Sequence, residues 1–150
     1  MIPYEMADIA EVVRRECKTF DDLVYMVSVV RTRPYSRLAA IIDFAPYYLT
    51  LKDYCRGVGE SEVVAYVKRL GVCGRRFVSI YRGGSDIRAG DWVALEREYA
   101  RFHGTPVYVK VVKPEDVVWA GTYEKEWYYV PKHLVGRFRS LEDFWNSIKR

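Results

Sequence analysis

The chain contains no glutamine, and Asn146 is its one asparagine. Amide side chains are thermolabile and are depleted in proteins from hyperthermophiles, so this composition points to a source in a hot environment. Histidine is almost as scarce, with two residues in 150. The three cysteines, Cys17, Cys55 and Cys73, show no paired metal-ligand spacing. A zinc centre is therefore not expected. Intracellular proteins of hyperthermophiles do carry disulfides, so one bridge is compatible with these cysteines, and spacing does not choose the pair. No apolar run reaches the length of a membrane span. The N-terminus carries Glu5, Asp8 and Glu11 in place of a basic-then-apolar leader. The expectation is a soluble, cytoplasmic protein with no membrane partner. Phosphate-binding signatures of the Rossmann and P-loop kinds are missing around Gly83, Gly84 and Gly90. Neither Ser79 nor Ser85 has an arguable histidine partner, which disfavours a serine hydrolase.

What is present is aromatic and charged: 13 Tyr, 4 Trp and 29% charged residues, with a formal net charge of +4. This composition suits one folded domain over residues 1–150 and argues against disorder. The charge is uneven. Residues 1–70 hold 10 basic and 10 acidic side chains, whereas residues 71–150 hold 14 and 10. A basic second part can attract phosphate, and it can equally be a solvated surface.

The pattern changes near Gly71–Gly74. Residues 1–73 read as a helical subregion. Helices are expected at 5–15, from Thr19 to about 30, and at Glu60–Leu70, the last ended by Gly71. Residues 74–150 read as a β-rich core. Strands are expected at 76–82, 92–93, 107–112, 117–119 and 126–130, with helices at 95–103 and 141–149. The fold class is thus α+β, a helical N-terminal part of about 70 residues packed on a small mixed or antiparallel β core.

Three stretches of this core are chemically suggestive. "IYRGG" (80–84) places Arg82 at the end of an apolar strand against a Gly-Gly turn. A guanidinium there suits bidentate phosphate binding, and Gly83 and its neighbour permit close backbone approach. "GDWVALEREYARFHG" (90–104) is a strand–helix element. "YEKEWYYVP" (123–131) carries Glu124 and Glu126 at a spacing that, on a strand, sends both carboxylates to one face. One glutamate is easily assigned to an ion pair with Arg82 or Lys125; two are not.

Taken in order, these motifs resemble the arginine–serine–glutamate group of ADP-ribosyltransferases. Glu124-Lys125-Glu126-Trp127-Tyr128-Tyr129-Val130-Pro131 is similar to that family's Glu-x-Glu stretch, and Gly90–Ala100 looks like domains of the same fold in phages and mobile elements. The resemblance spans residues 76–132. It implies NAD as the substrate and no metal. Arg82 would grip the phosphates and nicotinamide ribose, Glu126 would support the positive charge of the breaking glycosidic bond, and Glu124 would serve the acceptor. Tyr81, Gly83, Trp92 and Trp127 complete the implied NAD-binding set, and a protein acceptor is the implied partner. The family's middle strand carries hydroxyls that brace the catalytic glutamate, but Asp91-Trp92-Val93-Ala94-Leu95 has none. The activity implied is mono-ADP-ribosyl transfer or NAD hydrolysis. A catalytically inactive binding module of the same fold is the alternative. A basic nucleic-acid binder using Lys132, Arg137, Arg139, Lys149 and Arg150 is a third reading. His103 reads as the closing residue of a helix, with a proton carrier or adenine contact as the functional alternative, and His133 as a surface residue.

Overall fold

The computed structural model describes residues 48–132, together with Asp22. The expected helices before residue 48 and at 141–149 lie outside the described residues, as do Cys17, His133 and the basic residues after Lys132. Within them the fold is a small α+β arrangement of short helices and antiparallel strands. No described helix is long and apolar enough to cross a membrane.

Helix α1 (Leu51–Cys55) has only five residues, too few to persist without external support. Its support begins with a capping box. The Asp53 N–H donates to Thr50 Oγ1, and the Thr50 N–H donates back to Asp53 Oδ2 at 2.9 Å. Leu51 and Tyr54, one helical turn apart, are both buried. Helix α2 (Ser61–Leu70) buries Val63, Tyr66 and Val67, the spacing of a single helix face. It stops at Gly71, whose φ of 73° is the left-handed conformation that glycine adopts without penalty. A disulfide between Cys55 and Cys73 ties the end of α1 to the loop after α2, with the Cα atoms 5.2 Å apart.

The strands follow the valine-rich runs. Strand β1 (Val78–Gly83) pairs antiparallel with β3 (Val107–Val112), from Val78 opposite Val112 to Gly83 opposite Val107. Strand β2 (Trp92–Val93) pairs with β5 (Trp127–Tyr129), which also pairs with β4 (Val117–Trp119). A short 3-10 turn, Pro114–Asp116, connects β3 to β4. The two sheets meet at one bridge. The Tyr81 N–H donates to the Ala94 carbonyl at 2.9 Å, and the Ala94 N–H donates to the Tyr81 carbonyl at 2.8 Å. The spatial order is therefore β3–β1–β2–β5–β4, antiparallel throughout.

The core fills the space between this layer and the helices. The Tyr54 ring meets Trp119 and Trp127 edge-on, with centroids 5.9 and 5.7 Å away. Trp127, Tyr128, Leu51 and Ile80 are its largest fully buried side chains. Each such burial contributes on the order of 1.5–3 kcal/mol. Two expectations are corrected. Helix α3 runs over Arg97–Arg101, not 95–103, because Ala94 is still held in the sheet by Tyr81 and Glu96 remains extended. Glu124 and Glu126 do not share a strand face. A turn closed by the Glu126 N–H on the Tyr123 carbonyl, at 3.0 Å, precedes β5 and holds Glu124.

The Cys55–Cys73 bridge closes a sequence separation of 18 residues. A Cys73→Ser chain is expected to lose about 3 kcal/mol of unfolding free energy in denaturant titration, because its unfolded state regains the entropy of that loop. A second expectation concerns alkaline pH. Burial, reinforced by Glu60 and Asp53, pushes the Tyr54 phenol from 10.0 up to about 12. Burial and the bond to Glu96 push Tyr66 in the same direction. The folded state thus holds these protons more tightly than the unfolded state does. The stabilising effect of the Tyr54 proton is complete below pH 10.0 and is lost as pH rises towards about 12. Stability measured across that window should fall less steeply in Tyr54→Phe than in the parent chain.

Candidate functional site

The end of β1, strand β2 and helix α3 enclose a cavity of about 240 Å³. Tyr81, Arg82, Gly83, Trp92 and Glu126, from three separate stretches of sequence, all line it. Adjacency within the sheet explains this. The Tyr81–Ala94 bridge sets β1 beside β2, and the pairing of Val93 with Trp127 sets β2 beside the residue that follows Glu126.

Arg82 has the parity of the inward Val78 and Ile80, so it continues that face where the strand reaches the cavity. Its guanidinium is held in place. Nε donates to Ser85 Oγ at 2.8 Å, and Nη1 donates to the Trp92 carbonyl at 2.8 Å. Asp91 Oδ2 lies 3.9 Å from Nε and also accepts the Arg88 N–H at 2.7 Å. Asp91 is therefore a turn residue that also steadies the arginine. A guanidinium has five N–H donors, so this anchoring uses only part of its capacity. Trp92 is 46% exposed and stacks on the buried Tyr128, with centroids 5.7 Å apart and planes 26° from parallel. It offers a flat apolar plate at the cavity wall.

Glu126 is the last residue before β5, fixed by its own N–H and by its carbonyl, which accepts from Ala120 at 3.1 Å. Its Oε2 accepts from the Tyr99 hydroxyl at 3.4 Å, a long hydrogen bond. Burial raises the Tyr99 pKa, and the Glu126 charge raises it further, which keeps the phenol protonated as a donor. The Tyr99 ring also contacts His103, at 5.0 Å between centroids, and Tyr123, at 5.7 Å. Lys125 Nζ lies 5.7 Å from the same ring and 3.6 Å from Glu96.

Two residues expected in the site lie elsewhere. Trp127 is 0% exposed and belongs to the core, with its indole N–H donated to the Glu124 carbonyl at 2.9 Å. Glu124 sits in the turn and does not line the cavity; it acts on Tyr66, whose hydroxyl donates to Glu96. Gly83 lines the cavity, but a different constraint demands glycine there. A Cβ at position 83 would strike the Ala100 carbonyl and the backbone N and O of Gly104. The close approach is between two chain segments, not between chain and ligand.

Tyr99, for which the sequence implies no site role, and His103, which reads there as a helix-closing residue, also line the cavity. Their i, i+4 spacing was the available signal, since it puts both rings on one side of a helical turn. Comparison with family models, with curated proteins and with solved structures returns no match. What the arrangement can do follows from its groups. A fixed guanidinium attracts an anion, an indole accepts a flat ring, and a carboxylate braced by a phenol can stabilise a nearby cation.

Gly83→Ala is expected to cost about 2 kcal/mol or more, because the obstructing atoms are backbone and cannot rotate away. Chemical denaturation compared with Gly84→Ala would isolate the effect. The nearest atom to a Cβ at Gly84 is 3.7 Å away, so only its φ of 88° opposes that change.

Proposed function

We propose that the chain cleaves the nicotinamide–ribose bond of NAD, as an ADP-ribosyltransferase-like enzyme. The observation that carries this reading is that Arg82 and Glu126, 44 positions apart in number, line one cavity. The three stretches behind the resemblance also occupy neighbouring places in the sheet, in the order β1, β2, β5. In this reading Arg82 holds the pyrophosphate and Trp92 carries the nicotinamide ring. Glu126 supports the oxocarbenium-like ribose as nicotinamide departs, in the manner of a glycosidase carboxylate. The Tyr99 hydroxyl braces Glu126, the task the family assigns to middle-strand hydroxyls that Trp92, Val93 and Ala94 lack. A cavity of about 240 Å³ is below the range of about 300–1,000 Å³ for whole drug-sized ligands. It suits the nicotinamide riboside end, with the adenosine half lying outside.

Because Glu124 stands off the cavity wall, the reading rests on a single carboxylate. Water is then the acceptor it supports best, giving ADP-ribose and nicotinamide; transfer to a protein acceptor comes second. The alternative, an inactive module of the same kind, draws on the partial commitment of the Arg82 guanidinium to Ser85 and Trp92.

The test is nicotinamide release from NAD at elevated temperature. Glu126→Gln should retain NAD affinity within a few fold and lower turnover by roughly 100-fold or more, as expected for loss of a charge-stabilising group. NAD binding with no turnover in either form would select the inactive module. No binding by the folded parent chain would dismiss both. Glu126→Gln is preferable to Arg82→Ala as the first variant, since Arg82 also ties Ser85 to the Trp92 backbone.

A further inference from the structure

A second concavity, of about 620 Å³, shares no residue with the first. Three segments wall it: α1 with the residue after it, the loop from α2 to β1, and the chain around the Pro114–Asp116 turn. Its charge is one-sided. Lys52, Arg56, Arg75, Arg76 and Lys113 face a single carboxylate, Glu115. That excess of four equals the formal net charge of the whole chain, +4. Glu115 is already paired with Lys52, at 3.9 Å. Among the described residues, none of the other four cations makes an ion pair.

Cations on an ordinary convex surface diverge into solvent and repel one another little. Here they rise from three backbone segments around one concavity. Cys55 lies in the wall itself, and its bond to Cys73 ties the following Gly74-Arg75-Arg76 segment to the segment that carries Lys52 and Arg56. Covalent restraint thus fixes the two backbone segments that carry four of the five cations. Such preorganisation lowers the cost of binding a ligand that neutralises them. Three of the five are arginines, whose planar forks match phosphate oxygens. The volume falls within the range of small-molecule sites, about 300–1,000 Å³.

We infer that this cavity is a binding site for a compact, multiply phosphorylated anion, of the class of nucleoside or inorganic polyphosphates. The closely spaced phosphates sit between the arginines of the α2–β1 loop and Lys113 opposite. Inorganic triphosphate is the probe. Calorimetric titration at fixed ionic strength should show saturable binding to the parent chain. Arg75→Ala/Arg76→Ala should weaken it about tenfold or more, and Lys113→Ala, on a separate segment, should weaken it by a smaller factor. Both variants should keep the parent circular dichroism spectrum, because these side chains are exposed. A short single-stranded oligonucleotide, titrated in parallel, should bind more weakly than triphosphate.

Absence of triphosphate binding to the folded parent chain overturns the inference. So does binding that is unchanged in both variants. An oligonucleotide that binds through the same residues while triphosphate is inert would also overturn it, and would reassign the surface to a nucleic-acid backbone. NAD titration of Arg75→Ala/Arg76→Ala should match the parent, which keeps this outcome separate from the fate of the Arg82–Glu126 reading.

Discussion

Two hydrogen bonds between Tyr81 and Ala94 hold the β layer together. On one side is a two-stranded ribbon and on the other a sheet of two- and three-residue strands. Neither is large enough to be stable alone. The bridge makes them one continuous surface for the helices to cover. It also decides what faces what, since Arg82 follows Tyr81 directly and Trp92 precedes Ala94 by two. The bond from the Arg82 guanidinium to the Trp92 carbonyl is a consequence of that register. So is the meeting of Glu126 and Tyr99 across the cavity.

Local chemistry was the legible part of the sequence. Val107–Val112 and Val117–Trp119 are strands with the bounds expected, because β-branched runs end there at Pro114 and Gly121. Helix α2 ends at Gly71 because a left-handed residue closes it. What local patterns missed was decided by distant partners. Alternation predicts one face for Glu124 and Glu126, but the turn at Tyr123–Glu126 breaks it, and the buried indole of Trp127 binds the Glu124 carbonyl. The strand-prone, aromatic character of Trp127 marked it equally for a pocket and for a core. Its contact with Tyr54, far away in sequence, puts it in the core. The disulfide was illegible for the same reason: the choice of Cys55 with Cys73 depends on how α1 packs on α2.

Charge shows a similar division between what counting reveals and what folding arranges. The basic surplus falls after residue 70 in the sequence, yet the cationic wall of the larger concavity described above recruits Lys52 and Arg56 from before it. Two concavities of different character result. One combines aromatic rings with a single braced carboxylate, and the other is rimmed by cations and pinned by a disulfide. Strand β3 contributes to neither, although its Val109 and Val111 are more than half exposed.

The contact of Gly83 with Gly104 bears on redesign. Where side chains form a wall, an engineer enlarges or reshapes it by exchanging them. Here the part of the cavity wall at Gly83 is backed by the backbone of Ala100 and Gly104. No substitution at these glycines can make room, and any addition of atoms pushes the segments apart. A change in the cavity's shape would have to be sought at positions such as Trp92, Val93 or His103, where side chains supply the boundary.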